Sequence, residues 1–243
     1  MKKFIALVVI FGAFMLISTG VMGAKVLKVG NDPAFPPFES TTDKGEIVGF
    51  DIDLIKAVGA AAGYEVQIMA VAWDGIIPGL IAGNYDVIVS AMTITEERAK
   101  SVNFSDPYFE ASQVIVTTKK NKVLNTLEEL AGKKISVQLG TTGDFVVTDE
   151  VKNAVVKRFD LAPLAVQELL NGGVDAMVID EPVAKAYVKQ FSNLQYGAKC
   201  TEELYGFAVA KKNTQLLQEL NEALKKVKAD GTYDKIFAKW FAN

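Results

Sequence analysis

Arg98 is the residue whose position most needs a chemical explanation. It ends the run Asp86-Val87-Ile88-Val89-Ser90-Ala91-Met92-Thr93-Ile94-Thr95-Glu96-Glu97-Arg98, in which a short apolar stretch, the pattern of a strand covered on both faces in mid-sheet, hands over to a helix. Thr95 suits the N-cap and the two glutamates suit the positive end of the helix dipole, but a cation in that first turn is disfavoured by about 0.3–1 kcal/mol. An anion should compensate it. It is either a local carboxylate (Glu96, Glu97 or Asp106) or a ligand carboxylate gripped at the carboxyl end of the strand, where open α/β sheets bind their ligands. Two other stretches carry related chemistry. Gly140-Thr141-Thr142-Gly143 follows a strand pattern at 135–139 and precedes a helical stretch, so its amides suit an anion, although the turn is too short for a nucleotide-binding loop and lacks its lysine. Asp180 closes the apolar run 176–179 just before Pro182, which makes it either a helix cap or a carboxylate delivered by a strand end.

Composition narrows what these groups can do. The chain of 243 residues contains no histidine, which excludes histidine-dependent triads, histidine-ligated zinc and imidazole acid–base chemistry. Cys200 is alone, so neither an intrachain disulfide nor a cysteine metal cluster can form. The net charge is −3, and Lys2 and Lys3 are the only charges in residues 1–23, so the remainder is more acidic still and unsuited to nucleic acid. Half the residues are hydrophobic, enough for a sizeable core in one large domain or two ordinary ones. No cofactor is implied.

The elements that must position these groups follow from periodicity. A charged start, an apolar stretch and the small residues Val21-Met22-Gly23-Ala24 read as a secretory leader over 1–23, with no cysteine after it for a lipid anchor. A strand at 26–30 leads to Asn31-Asp32 and to Phe35 among three prolines, a rigid aromatic loop suited to a ligand wall, while Phe38 plugs the core edge. Phe50-Asp51-Ile52-Asp53 opens a helix with Asp51 as its N-cap, then come a strand at 65–69 and a helix at 74–82, giving a right-handed α/β unit. The pattern of residues 79–89 recurs at 168–178: helix end, glycine, then an aspartate opening an apolar strand. The runs 113–120 and 206–212 also match, each ending in a lysine pair. Two apolar stripes, Leu216 to Val227 and Tyr233 to Phe241, separated by Asp230-Gly231, read as helices that close the first half.

Residues 90–98 running into Asn103-Phe104-Ser105-Asp106-Pro107-Tyr108, with Gly49 to Leu54, Trp73-Asp74-Gly75, Gly140-Thr141-Thr142 and Val174 to Asp180 in that order, resemble periplasmic amino-acid-binding proteins of ABC importers, the extracellular solute-binding proteins of family 3. The resemblance implies a two-lobed α/β fold, each lobe a mixed, mostly parallel sheet flanked by helices. Lobe 1 would hold 24–112 and 206–243, lobe 2 would hold 113–205, and a two-stranded hinge would lie near 113–118 and 204–210. It also implies a monomeric, periplasmic carrier that binds a free amino acid and delivers it to a permease in the inner membrane. By this resemblance Arg98 takes the ligand carboxylate with the amides and hydroxyls of Thr93 and Thr142, and Asp180 takes the ammonium with the Thr93 hydroxyl and the Ala91 carbonyl. Phe35 and Phe50 would sandwich the side chain, with Asp32, Ser90, Gln138 and Glu39 at its polar end. That set favours arginine or another basic amino acid, with glutamine next. A dehydratase-like enzyme on the same fold, using carboxylates as acid and base, is the competing expectation, and its mark would be a carboxyl of raised pKa deep in the cleft.

Overall fold

The apolar runs and amphipathic stripes become strands and helices in the computed structural model, which describes residues 25–242; the expected leader lies outside the described residues. In chain order the strands are β1 (Lys25–Asn31), β2 (Ala34–Phe35), β3 (Glu39–Thr41), β4 (Ile47–Val48), β5 (Tyr64–Ala70), β6 (Val87–Ile88), β7 (Val102–Phe104), β8 (Phe109–Ala111), β9 (Gln113–Thr118), β10 (Lys134–Gln138), β11 (Val155–Phe159), β12 (Ala176–Asp180), β13 (Leu194–Lys199), β14 (Glu203–Tyr205) and β15 (Ala208–Ala210). The helices are α1 (Phe50–Ala61), α2 (Ile76–Ala82), α3 (Glu96–Ser101), α4 (Thr142–Glu150), α5 (Ala162–Leu170), α6 (Glu181–Gln190), α7 (Thr214–Ala229) and α8 (Thr232–Phe241). Among the described residues, no helix is long and apolar enough to cross a membrane.

Two five-stranded sheets repeat one plan. The first is ordered β5-β1-β6-β15-β7 and the second β11-β10-β12-β9-β13. In each, three strands run parallel, the first of them in sequence lying between the other two, and an antiparallel strand follows. The echo read from the sequence has a geometric cause. Asp86 Oδ2 accepts the Lys28 amide at 2.9 Å and Asp175 Oδ2 accepts the Lys134 amide at 2.8 Å, so each aspartate ties the start of its strand to the neighbouring strand. Gly83 and Gly172, before them, take left-handed φ of 83° and 76°, which glycine adopts without steric cost.

The two lysine-ended runs do not lie side by side, contrary to the expectation. β9 is the fourth strand of the second sheet and β15 the fourth strand of the first. They resemble each other because they occupy equivalent, buried, antiparallel positions. The antiparallel pair joining the lobes is instead β8 with β14, matching Phe109 to Tyr205 and Ala111 to Glu203. It immediately precedes both fourth strands, so the chain enters each sheet as soon as it has crossed between them.

The N-cap of α1 is Gly49, two residues before the expected Asp51. The amides of Phe50 and Asp51 donate to the carbonyls of Pro37 and Phe38 at 3.0 Å each, which leaves Asp51 free to turn inward. Asp53 accepts Lys239 Nζ at 2.6 Å and Trp240 Nε1 at 2.7 Å and so fastens α8 onto α1. Gly49 cannot carry a side chain: a Cβ there would lie 1.9 Å from the Phe38 carbonyl oxygen, at a φ of +152°. Gly49→Ala should therefore cost at least about 3 kcal/mol of unfolding free energy. Urea titration checks this, and a loss under about 1 kcal/mol would contradict the packing described.

Candidate functional site

Strand ends facing one another across the lobes build the site. Asp32 follows β1, Ser90, Ala91 and Thr93 follow β6, Gln138 ends β10, and Asp180 ends β12; all of these are carboxyl ends of parallel strands. Together with Phe35, Glu39, Trp73, Arg98, Thr141 and Thr142 they line a single narrow cleft. Ten of the eleven residues expected at the site are in that lining.

Phe50 is the exception. Its ring is fully buried and packs edge-on against Phe241 and Phe109, centroids 5.1 and 5.6 Å away, because the first turn of α1 points into the aromatic core beneath α8. Trp73 supplies the aromatic wall that Phe50 does not. It sits in a short 3-10 turn after β5, and the Arg98 guanidinium carbon lies 5.2 Å from its ring centre, within cation–π range. The signal for Trp73 was an aromatic at a strand's carboxyl end, the same one that pointed to Phe35.

Arg98 is 8% exposed. Thr95 caps α3 by accepting the Arg98 amide at 3.1 Å, which turns the side chain back toward the sheet. Among the described residues, no carboxylate lies within 4.0 Å of the guanidinium, so the local pairing with Glu96, Glu97 or Asp106 does not form; Glu97 pairs with Lys100 at 2.5 Å instead. One terminal nitrogen donates to the Thr93 carbonyl at 2.9 Å and the other to Gly140 of the opposite lobe at 3.3 Å. A guanidinium has five N–H groups, so three stay available. Burial lowers the Arg98 pKa, while Glu203 and Asp180 pull it back up.

Asp180 accepts from the Tyr205 hydroxyl at 2.5 Å. Burial, then the charge of Glu203, pushes its carboxyl up from the ordinary 3.8, against the hydrogen bonds of Tyr205 and Gln113. At the other end of the cleft Gln138 Nε2 donates across the lobes to Asp32 Oδ2 at 3.0 Å, and Ser90 Oγ accepts the Asp32 amide at 3.0 Å and donates to Glu39 Oε1 at 3.1 Å. Burial raises Asp32 to about 6. It also raises Glu39 well above its ordinary value, with Asp51 adding repulsion. Asp51 lies behind this end, accepting the amide of Ala91, which has a left-handed φ of 46°, and the Tyr108 hydroxyl, both at 2.7 Å; burial raises it as well. Three carboxyl groups and one guanidinium thus line a single cleft.

Sequence reasoning passed over Glu203. It is 8% exposed and its Oε2 accepts the hydroxyls of both Thr93 and Thr142. Nothing in Thr201-Glu202-Glu203-Leu204 distinguishes it from a solvated acidic pair.

A two-lobed α/β fold whose cleft is lined by strand ends of both lobes is that of the periplasmic binding proteins. The family model of bacterial extracellular solute-binding proteins, family 3, matches residues 27–243, and the chain belongs to that family. It is 38% identical over 260 residues to a probable histidine-binding protein of Neisseria gonorrhoeae, with 100% of this chain and 96% of the relative covered. Among solved structures, an ancestral arginine-binding protein bound to arginine aligns with a TM-score of 0.84 at 48% identity, covering 89% of this chain and 98% of that one. ArtJ, an arginine-, lysine-, histidine-binding protein from the thermophilic bacterium Geobacillus stearothermophilus, aligns with a TM-score of 0.85 at 42% identity, covering 90% and 96%.

The raised carboxyls carry a stability signature. A carboxyl whose pKa is higher folded than unfolded holds its proton more tightly in the folded protein, so its stabilising contribution is complete below the unfolded value, near 3.8, and is lost as pH climbs through the folded one. For Asp32 that window runs from about pH 4 to about 6. Melting of the ligand-free protein should show wild-type stability declining across this window, with a shallower decline in Asp32→Asn; equal slopes would contradict the raised value.

Proposed function

We propose that this protein captures a free basic amino acid, arginine foremost, in the interlobe cleft and delivers it from the periplasm to an ABC permease of the inner membrane, acting as a monomer. The observation that carries this reading is the charge inventory of the cleft: one guanidinium against three carboxyls, drawn from both lobes. An α-amino acid brings one carboxylate and one ammonium. Arg98 takes the carboxylate through its three available N–H groups, with the first-turn amide of Thr142 beside it, and Asp180 takes the ammonium. Asp32 and Glu39 are then left facing the side chain, and a cationic side chain satisfies them where a neutral one does not. Phe35 and Trp73 flank its path. Charge-assisted hydrogen bonds contribute about 1.5–3 kcal/mol each, so three or four reach micromolar affinity, about −8 kcal/mol, after ordering costs. Relatives named for arginine and for histidine support a basic ligand.

Closure follows from the same inventory. Anchors on two lobes bind the ligand together only when the lobes meet, so ligand shifts the population toward the closed form, the form a permease would recognise.

Glu39 and Asp32 are the raised carboxyls that a dehydratase-like enzyme would use, and this favours a second reading in which the cleft turns over a cyclohexadienyl acid. The binding reading accounts for Arg98 and Asp180 on opposite lobes as well, and it expects no turnover of such an acid.

Calorimetry tests the assignment. Arg98→Ala should weaken arginine binding by at least about 100-fold, the worth of one or two charge-assisted bonds, while far-UV circular dichroism shows an intact fold; near-normal affinity in a folded variant refutes it. Citrulline, neutral and nearly isosteric with arginine, should bind wild type at least about tenfold more weakly, and equal affinities would remove the case for a basic ligand.

A further inference from the structure

Glu203 does not line the cleft, yet it governs two residues that do. Its Oε2 accepts the Thr93 hydroxyl at 2.6 Å and the Thr142 hydroxyl at 2.9 Å, and its Oε1 accepts the Thr201 hydroxyl at 3.1 Å. Thr93 belongs to the loop after β6 and Thr142 to the first turn of α4, on opposite lobes, while Glu203 begins β14, one of the two strands linking them. A single carboxylate oxygen therefore joins three parts of the molecule that the cleft divides.

The consequence lies in where the protons go. A hydroxyl has one proton to donate and two lone pairs. With the proton committed to Glu203, each threonine can present only lone pairs elsewhere. Thr142 spends one of its pairs on Gln113 Nε2, 3.1 Å away, and keeps one. Both threonines line the cleft, and hydroxyls committed in this way can serve a ligand there only as acceptors. Acceptors suit an ammonium, which has three donors and no lone pair, and disfavour a carboxylate, which has only acceptors. The Thr93 hydroxyl, expected at both ends of the ligand, thus suits only the ammonium end, and the Thr142 hydroxyl leaves the carboxylate end expected of it: both go with Asp180, and the Arg98 side is left to N–H donors.

We propose that Glu203 is a positioning residue that, from the link between the lobes, sets the proton direction of the Thr93 and Thr142 hydroxyls and thereby makes the cleft select ligands with a free α-ammonium. Because one oxygen serves a threonine from each lobe, the acceptor pair is complete only when the lobes are closed. Recognition of the ammonium is thus tied to closure. The inference rests on the cleft being an α-amino-acid site, and not on which side chain it takes.

The experiment compares three ligands by calorimetry on the full chain: arginine, agmatine, which lacks the carboxylate, and 5-guanidinopentanoate, which lacks the ammonium. Glu203→Gln keeps the shape but places a donor amide where a pure acceptor stood, which frees or reverses a threonine proton. Arginine and agmatine should each weaken by at least about tenfold, the loss of roughly one charge-assisted bond, while 5-guanidinopentanoate changes by less than about threefold. Thr142→Val, which removes one acceptor and leaves Glu203 in place, should show the same split, weaker in size, and serves if Glu203→Gln does not fold. A uniform loss across all three ligands, or an unchanged affinity for arginine, overturns the proposal. Wild type that binds no α-amino acid sinks the proposed function and this inference together. Wild type that binds a different amino acid leaves the same comparison to be made with that compound and its deamino analogue, and the absence of a split there sinks this inference alone.

Discussion

Arg98 carries a charge that no accessible pH removes, in a position where only 8% of the residue meets solvent. Burying such a group costs several kcal/mol unless charge and hydrogen bonds compensate. The protein provides part of that compensation: two carbonyls, one from each lobe, the face of Trp73, and the fields of Glu203 and Asp180. What it does not provide, among the described residues, is a carboxylate in contact. A guanidinium held in this way is set up for a carboxylate from outside, and the three N–H groups left to it are the reason a planar, two-oxygen partner fits.

The two-sheet plan exists to aim strand ends at that cation. Parallel strands put their carboxyl ends on one side, so two copies of the plan, turned to face each other, bring Asp32, Ser90 and Thr93 opposite Gln138, Thr142 and Asp180. The Asp86 and Asp175 bonds to neighbouring strands recur at the same place in both sheets. They hold the register on which the aim depends. The link strands contribute to the site as well as joining the lobes, through Tyr205 on Asp180 and Glu203 on the two threonines.

A cleft with a surplus of buried carboxyls works against the stability of the fold. Desolvation raises Asp32, Glu39, Asp51 and Asp180, and one oxygen each of Glu39 and Asp51 is buried with no hydrogen-bond partner. A core built for stability alone would replace them with apolar groups. A cationic ligand offsets the same repulsion, so the arrangement that weakens the protein by itself is the one that favours a positively charged guest, a trade common at functional sites.

Local patterns read from the chain were sufficient for much of this. Apolar runs and their flanking glycines marked β1, β6, β10 and β12, and the strand ends then pointed to Thr93 and Thr142, because hydrophobic periodicity and turn chemistry act over a few residues and are written locally; Asp32 and Asp180 came to the site through the resemblance to the family. The repeat at 79–89 and 168–178 was legible for the same reason. Longer-range facts were not. Phe35 and Phe50 look alike in sequence, yet one lines the cleft and the other fills the core, since the turn of α1 on Gly49 and the docking of α8 decide which way a ring points. The matching lysine-ended runs were visible, but not whether they pair or occupy equivalent places in separate sheets. Glu203 carried no local mark, because its role consists of two hydroxyls brought to it from positions 93 and 142. The sequence by itself determined which charges are present and at which strand ends they emerge. Only the tertiary structure decided which of them share a cavity and which way the protons between them point, because those depend on distances between segments far apart in the chain.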